Sequence, residues 1–457
     1  MTETARTSGG ATDNTLSFTY DAIGNPLTAA NNAGTYTMAY DAQNRTKTVT
    51  EPNGVSLTFG YDFVGNRTSV SDSLGGSEIS VYDAANELTS HQLTEGSTQI
   101  HVEEAYFADG RLQEQRSYGI GTPAAEVALT DYTYYADGRL NTLLAKDSIG
   151  GSTPTNTVMN YSYINDNAGR LSSKTENGIT TSYGYDNTNQ LTTINGSTLY
   201  SYDATGNRTI TGYVTTTGNQ LSTDGTYNYT YDGEGNQITK TNIATGDYWT
   251  YGYDERNHLI SAVDKTSGGT IEVSATYVYD AFGNRIEKDV TISGTTTVTK
   301  FVLDGWDPAK GPPIGNENWD VRADVSSTGS LTSEYLRGDV VDQVFARIDK
   351  NGSTLTPYWY LGDNQGSIRM VIDNSGNGVD SVTYDAFGNI TSDTAPTIHG
   401  RYGNAGREFD SETGLEDDRD RKKNEIINRW QTQDSTTPPG RPSIWPPSPV
   451  HTMPTWA

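Results

Sequence analysis

One dipeptide constrains this chain more than any other feature. Tyr-Asp occurs ten times, with Tyr at 20, 40, 61, 82, 185, 202, 231, 253, 279 and 384. The first three spacings are 20, 21 and 21 residues. Degenerate copies fill the wider gaps, at Tyr106 to Leu112, Tyr135 to Leu140 and Tyr163 to Leu171. A unit of about 20 residues cannot bury its own apolar face, so a chain built this way is stable only as a stack of neighbouring units.

The residues after each Tyr-Asp set the local structure. Counting Asp as position one, position four is Gly24, Gly65, Gly206, Gly235, Gly283 or Gly388 in six copies, and Asn44, Asn86, Asn189 or Asn257 in four. Gly and Asn best tolerate positive φ. Asp opens a type I turn, and its carboxylate accepts a backbone N–H two residues on. The pairs Asp21/Gly24, Asp62/Gly65, Asp203/Gly206, Asp232/Gly235, Asp280/Gly283 and Asp385/Gly388 therefore predict tight hairpin turns with a bulge. Seven copies carry a second aromatic two residues before the Tyr, as in Phe59 and Tyr277. That spacing puts both rings on one face of a strand. The predicted class is all-β, with stacked hairpins in a spiralling antiparallel sheet. Tyr suits such a thin sheet, since its ring packs while its hydroxyl can remain wet.

Composition agrees and excludes other classes. The formal charge is 31 − 57 = −26, which argues against a nucleic-acid partner. There is no Cys, hence no disulfide and no cysteine nucleophile. No apolar run is long enough to span a bilayer. Residues 1–10 lack a signal-peptide pattern, so the chain is either cytosolic or a piece of a longer one.

The motif Y-D-x-x-G-N-R, as in Tyr61 to Arg67 and Tyr279 to Arg285, resembles the YD repeat of Rhs proteins, of the C component of Tc toxins, of bacterial wall-associated proteins and of teneurins. Asp363, Gly366, Ser367 and Arg369 resemble the D-x-x-G-S-[VI]-R segment of the Rhs core. Gly406, Arg407 and Glu408, then Glu412 to Leu415, continue that likeness. The resemblance implies a β-shell that encloses a C-terminal polypeptide and is plugged by a core region acting as an aspartyl autoprotease. It also implies a secreted or surface-delivered protein.

The likeness lapses where the chemistry would sit. Arg419 and Arg421 match the family's R-x-R. Lys422 and Lys423 replace two Tyr, Glu425 replaces Pro and Asn428 replaces Gly. Asp434 matches the acid of the cleavage motif, but Ser435, Thr436 and Thr437 replace Pro-x-Gly. An aspartyl protease needs two carboxylates sharing a proton, and the second is missing at the family's position. Asp434, Arg419 and Arg421 are thus remnants, and no enzymatic activity is expected. Residues 435–457 hold 7 of the 16 Pro and are expected to be unstructured. The lapse in mid-motif suggests a shifted reading frame or a decayed gene end.

The domain reading is a lead at 1–15, the repeat array at 16–300, an irregular insertion at 301–357, the core region at 358–434 and the tail. No cofactor or metal is expected, since His91, His101, His258, His399 and His451 lack ligand spacing. The mixed-sign run Glu416 to Lys423 is expected to be a solvated face. The function expected is a structural shell segment of a polymorphic-toxin-like protein. The alternatives are a surface adhesin binding glycans through exposed aromatics, or a gene remnant with no function.

Overall fold

The structure is a computed structural model that describes residues 2–6, 12–120, 125–148, 153–310, 319–419, 421–424 and 429–432. The described residues form two long antiparallel sheets and one small one, of 18, 16 and 4 strands. The first runs from Thr2–Arg6 to Ser197–Thr198 and the second from Tyr213–Thr215 to Ile390–Asp393. Strands pair with their neighbours in sequence, as a meander. The all-β reading holds.

Each Tyr-Asp unit builds the same corner. In all ten copies the Asp N–H donates to the carbonyl four residues on. Its Oδ1 accepts the backbone N–H groups of both the second and the fourth following residue. The residue at position four has positive φ throughout, 62–67° at the four Asn and 87–110° at the six Gly. The strand register then slips by one residue at the Tyr, as at Gly60/Tyr61 and Val278/Tyr279. This is the bulge that lets a three-residue loop join two right-twisted strands.

Most of the repeat Tyr hydroxyls are bonded to the chain. In eight of the ten copies the phenol donates to a backbone carbonyl on the preceding hairpin, at 2.7–2.9 Å; Tyr61 to Thr46 and Tyr279 to Leu259 are examples. The acceptor is always the fifth residue after the one that opens the earlier turn. A ring lying across the strand brings its oxygen to that spot, where the bulge frees a carbonyl from the ladder. The contact fixes each unit on the one before it.

The sheets pack face to face. Leu16, Ala29, Tyr36, Val49 and Leu57 of the first meet Phe301, Val321, Ala323, Tyr335 and Val371 of the second in one core. Leu93, Ile100, Leu143 and Met159 meet Phe345, Ile348 and Trp359 in another. Polar links cross the same boundary. Arg322 pairs with Asp72 at 3.1 Å and Glu78 at 2.8 Å, and Arg67 with Asp304 at 2.7 Å. The Tyr36 hydroxyl donates to Asp280 at 2.9 Å.

Residues 301–357 are not an irregular insertion. Asp320–Ser326, Leu331–Arg337, Val344–Asn351 and Thr354–Gly362 are consecutive strands of the second sheet. Turns between strands aside, only 305–310, ending in a short 3₁₀ turn, and Trp319 are irregular among the described residues of that stretch. The alternation was hidden because charged residues there are buried in ion pairs, Arg322 and Glu334 among them. The lead is also partly strand, since Thr2–Arg6 pairs with Thr12–Tyr20. The tail at 435–457 lies outside the described residues, as do Asp434, Glu425 and Asn428.

Candidate functional site

The chemistry-bearing side chains converge where the core region meets the second sheet. Beyond the last long strand the chain makes a four-residue helical turn, Pro396–His399, and then a four-stranded sheet of Glu408–Asp410, Leu415–Asp418, Arg421–Asn424 and Arg429–Trp430. Leu415 seats this small sheet on Tyr251, Leu259, Ala275, Tyr277 and Tyr279. The Gln431 carbonyl accepts the Gln237 N–H at 2.8 Å, and Arg429 donates to the Asn219 carbonyl at 2.6 Å.

Arg285 is the hub. It is position six of the Y-D-x-x-G-N-R copy at 279–285, so the bulge after the turn aims it off the sheet. Its guanidinium reaches Asp410 at 2.6 Å, Glu408 at 2.7 Å and Asp417 at 2.9 Å. Lys288 holds Asp410 and Glu412, each at 2.8 Å. Asp410 is fully buried. Burial opposes its ionisation, but Arg285 and Lys288 keep it well below the usual carboxylate range. Burial likewise opposes Glu408, which Arg401 and Arg285 hold down to about 2. Four carboxylates and their cations form a largely buried network, and such networks are stable only while every member is paired.

A second cluster holds the outer edge. Arg419 reaches Asp342 at 2.6 Å and Asp320 at 3.3 Å. Lys310 also contacts Asp320. Burial opposes Asp320, and the cations around it hold it down to about 2. Arg407 bridges Asp342 at 2.9 Å and Asp418 at 3.1 Å. Burial lifts Asp418 to about 6, against the pull of Arg407. Gly406 has φ +69°, and a Cβ there would lie 2.3 Å from the Asp342 carbonyl oxygen. Only glycine allows that approach.

Between the clusters lies a cavity of about 50 Å³, lined by Arg285, Asp320, Arg337, Asp342, Glu408 and Arg419 among others. Ligand pockets run to roughly 300–1,000 Å³; this one has room for a few waters.

The other sequence candidates fall into place around this. Asp363 to Ser367 is a further copy of the repeat turn: Asp363 N–H donates to the Ser367 carbonyl, and Gly366 has φ 78°. Lacking a preceding Tyr, it escaped the count of Tyr-Asp pairs. Ser367 Oγ accepts the Ala405 N–H at 2.9 Å, which ties this turn to the core region. Arg369 contacts Glu176 and lies 3.7 Å from Asp363. Arg421 lies over the Trp430 ring at 4.0 Å. Arg421 is thus on the opposite side of its hairpin from Lys422, while Arg419 reaches Asp320 and Asp342.

The solvated-face reading of Glu416 to Lys423 fails. Glu416 and Lys422 are each 3% exposed. Across the hairpin Glu416 faces Lys423, and Asp417 faces Lys422, so a mixed-sign run becomes pairs that neutralise each other and can be buried. The hub itself was missed. Its partners lie 123 and 125 residues from Arg285, and the only local signal is that Arg occupies position six. Arg67, Arg208 and Arg285 share that position, and each stacks on the aromatic two residues before its Tyr, at 5.3–5.5 Å.

The family model of the Teneurin YD-shell matches residues 176–439, and that of the RHS repeat matches 40–79. The chain belongs to the YD-shell family. It is 28% identical over 282 residues to the tRNA3(Ser)-specific nuclease WapA of Bacillus spizizenii and, to the same extent, to the tRNA nuclease WapA of Bacillus subtilis. Each match covers 61% of this chain and 9% of the relative. Among solved structures, the crystal structure of TcdB2-TccC3-TEV is similar over 95% of this chain and 28% of its own, at 13% identity and a TM-score of 0.44. The Photorhabdus luminescens Tc holotoxin pore gives 14% identity and a TM-score of 0.37, over 95% of this chain and 28% of that one. No helix among the described residues is long and apolar enough to cross a membrane.

Proposed function

We propose that this chain is a structural YD-shell segment of a secreted or surface-delivered toxin-like protein, and that its core region locks the shell without cutting the chain. In the whole protein such a segment would hold a separate C-terminal polypeptide that carries the activity. The observation that carries this reading is the state of the core-region acids. Glu408, Asp410 and Asp417 are all bound to Arg285. Glu408 and Asp410, held well below neutral by these cations, are neither poised general bases nor proton donors near neutral pH. Arg419, which matches the family's arginine, is likewise spent on Asp320 and Asp342.

The test is incubation of the purified chain at pH 5 and pH 7, followed by intact-mass spectrometry and a tRNA hydrolysis assay. A single species near 49.6 kDa with no tRNA cleavage supports the reading. Release of a C-terminal fragment that is abolished by Asp434→Asn would overturn it.

A further inference from the structure

Asp380, Asp393 and His399 come from three different elements: the strand Gly378–Tyr384, the strand Ile390–Asp393 and the helical turn Pro396–His399. One potential ligand atom from each lies within 4.8 Å of the other two. Asp380 is 3% exposed and His399 4%. Asp380 Oδ1 accepts the Thr394 hydroxyl and the Ala395 N–H, each at 2.8 Å. Its other oxygen, Oδ2, has no hydrogen-bond partner among the described residues, and neither does His399 Nε2. His399 Nδ1 lies 2.9 Å from Asp393 Oδ2. Asp380 Oδ2, a buried carboxylate oxygen without a partner, sits in a cluster already rich in negative charge, an arrangement that costs stability unless something fills it.

We propose that these three side chains bind a divalent first-row transition cation, with Zn²⁺ as its probe. Two carboxylates and an imidazole are a donor set that suits zinc and its neighbours, and a 2+ ion neutralises the two acids. The site is also held in place from outside. Arg347 donates to the His399 carbonyl at 3.0 Å and contacts the Tyr360 hydroxyl. Thr394 and Ala395 fix Asp380 in the same way. Such outer hydrogen bonds orient ligands before the ion arrives. The ion would act as a clip, joining the last hairpin of the second sheet to the turn from which the core region departs. His399 is then not an incidental histidine. Its ligands are separated by 13 and 6 residues and lie on separate elements, so no local spacing announced them.

The experiment is a Zn²⁺ titration of chelator-treated protein by calorimetry. The expected result is one ion per chain, with affinity weakened by about 10- to 100-fold or more in His399→Gln and Asp380→Asn and unchanged in His101→Gln. No saturable binding, or equal binding by wild type and His399→Gln, would overturn the proposal. Zinc-edge X-ray absorption on the wild-type protein guards against a variant that fails to fold. One imidazole nitrogen and carboxylate oxygens at about 2.0–2.2 Å support the site, and an all-oxygen shell contradicts it.

Discussion

The copies of Y-D-x-x-G-N-R at 61–67 and 279–285 share a sequence and differ in use. Asp62 bonds its own turn, and at that tip Phe63 and Val64 stand out in solvent. Asp280 makes the same turn bonds but is buried, and it also accepts the Tyr36 hydroxyl from the opposite sheet. Their pKa values diverge accordingly. Backbone and Asn66 hydrogen bonds outweigh desolvation and lower Asp62, whereas burial raises Asp280. The arginines diverge less: both reach buried acids across a gap in the chain, Arg67 at Asp304 and Arg285 at Asp410. The same local code thus serves two ends. In the open array it closes hairpins one at a time. Under the core region its turn Asp is buried as well, and its arginine gathers three acids of one distant segment.

The largest expected effect sharpens that contrast. Arg285→Met strips the shared cation from three buried carboxylates, leaving Asp410 on Lys288, Asp417 on Lys422 and Glu408 on Arg401, and loss of one member of a buried pair costs about 3–5 kcal/mol. Arg45→Met removes a partly exposed pair with Asp41, at 2.7 Å, worth about 0–1 kcal/mol, together with a bond to the Asp62 carbonyl and the stack on Tyr61, but it leaves no acid in a dry interface. Urea denaturation of both variants measures the gap. Similar midpoints would break the distinction between the two regions.

Next comes the turn. Gly206 has φ +88°, and only the flexible end of Gln190 lies near its missing Cβ. Gly206→Val is expected to cost about 1–2 kcal/mol, because a β-branched residue is disfavoured at that φ. Gly206→Asn is expected to be nearly neutral, since four copies already place Asn there. Thermal melts of the pair check this, and equal losses would contradict it.

A smaller effect, of about 1 kcal/mol, is expected from Tyr61→Phe, which strips the donor from the Thr46 carbonyl. Tyr20 opens the array, and its hydroxyl makes no such bond among the described residues, so it offers the comparison. A cost at Tyr61 with none at Tyr20 would show that the hydroxyls stack the units.

The pH dependence separates the regions in sign. Asp41 is held low, first by the Arg45 backbone N–H. Its contribution is present above the unfolded carboxylate value near 4 and is lost as pH falls below it. Asp418 is raised to about 6, so the folded chain holds its proton more tightly than the unfolded one. Stability from that group is present below pH 4 and is lost as pH rises from about 4 to 6. Asp418→Asn is expected to flatten the stability profile of the core region in that window, while Asp41→Asn leaves it unchanged there.

Much of this was legible in the residues, because the repeat's physics is local. Asp, Gly or Asn, and alternating aromatics define a turn and a strand within ten residues; the turn recurs ten times and the aromatic pair seven. What escaped depends on distance. The phenol acceptors lie one hairpin away, at a fixed offset that only the bulge geometry reveals. Arg285 and its acids are more than a hundred residues apart, and nothing near Glu408 or Asp410 names their partner. The strands at 320–362 were obscured because their buried charges imitate a polar loop. Asp380, Asp393 and His399 converge only once the last hairpin and the turn after it have folded.

Hydrogen exchange read by mass spectrometry, on wild type and on Arg285→Met, bears most directly on the claim that Arg285 is the hub of the contacts fixing the core region to the shell. Segments open with their own free energies. In the variant, protection is predicted to fall across 408–424 while the strands between 26 and 118 keep theirs. Unchanged protection at 408–424, or a loss spread evenly over both sheets, would contradict it.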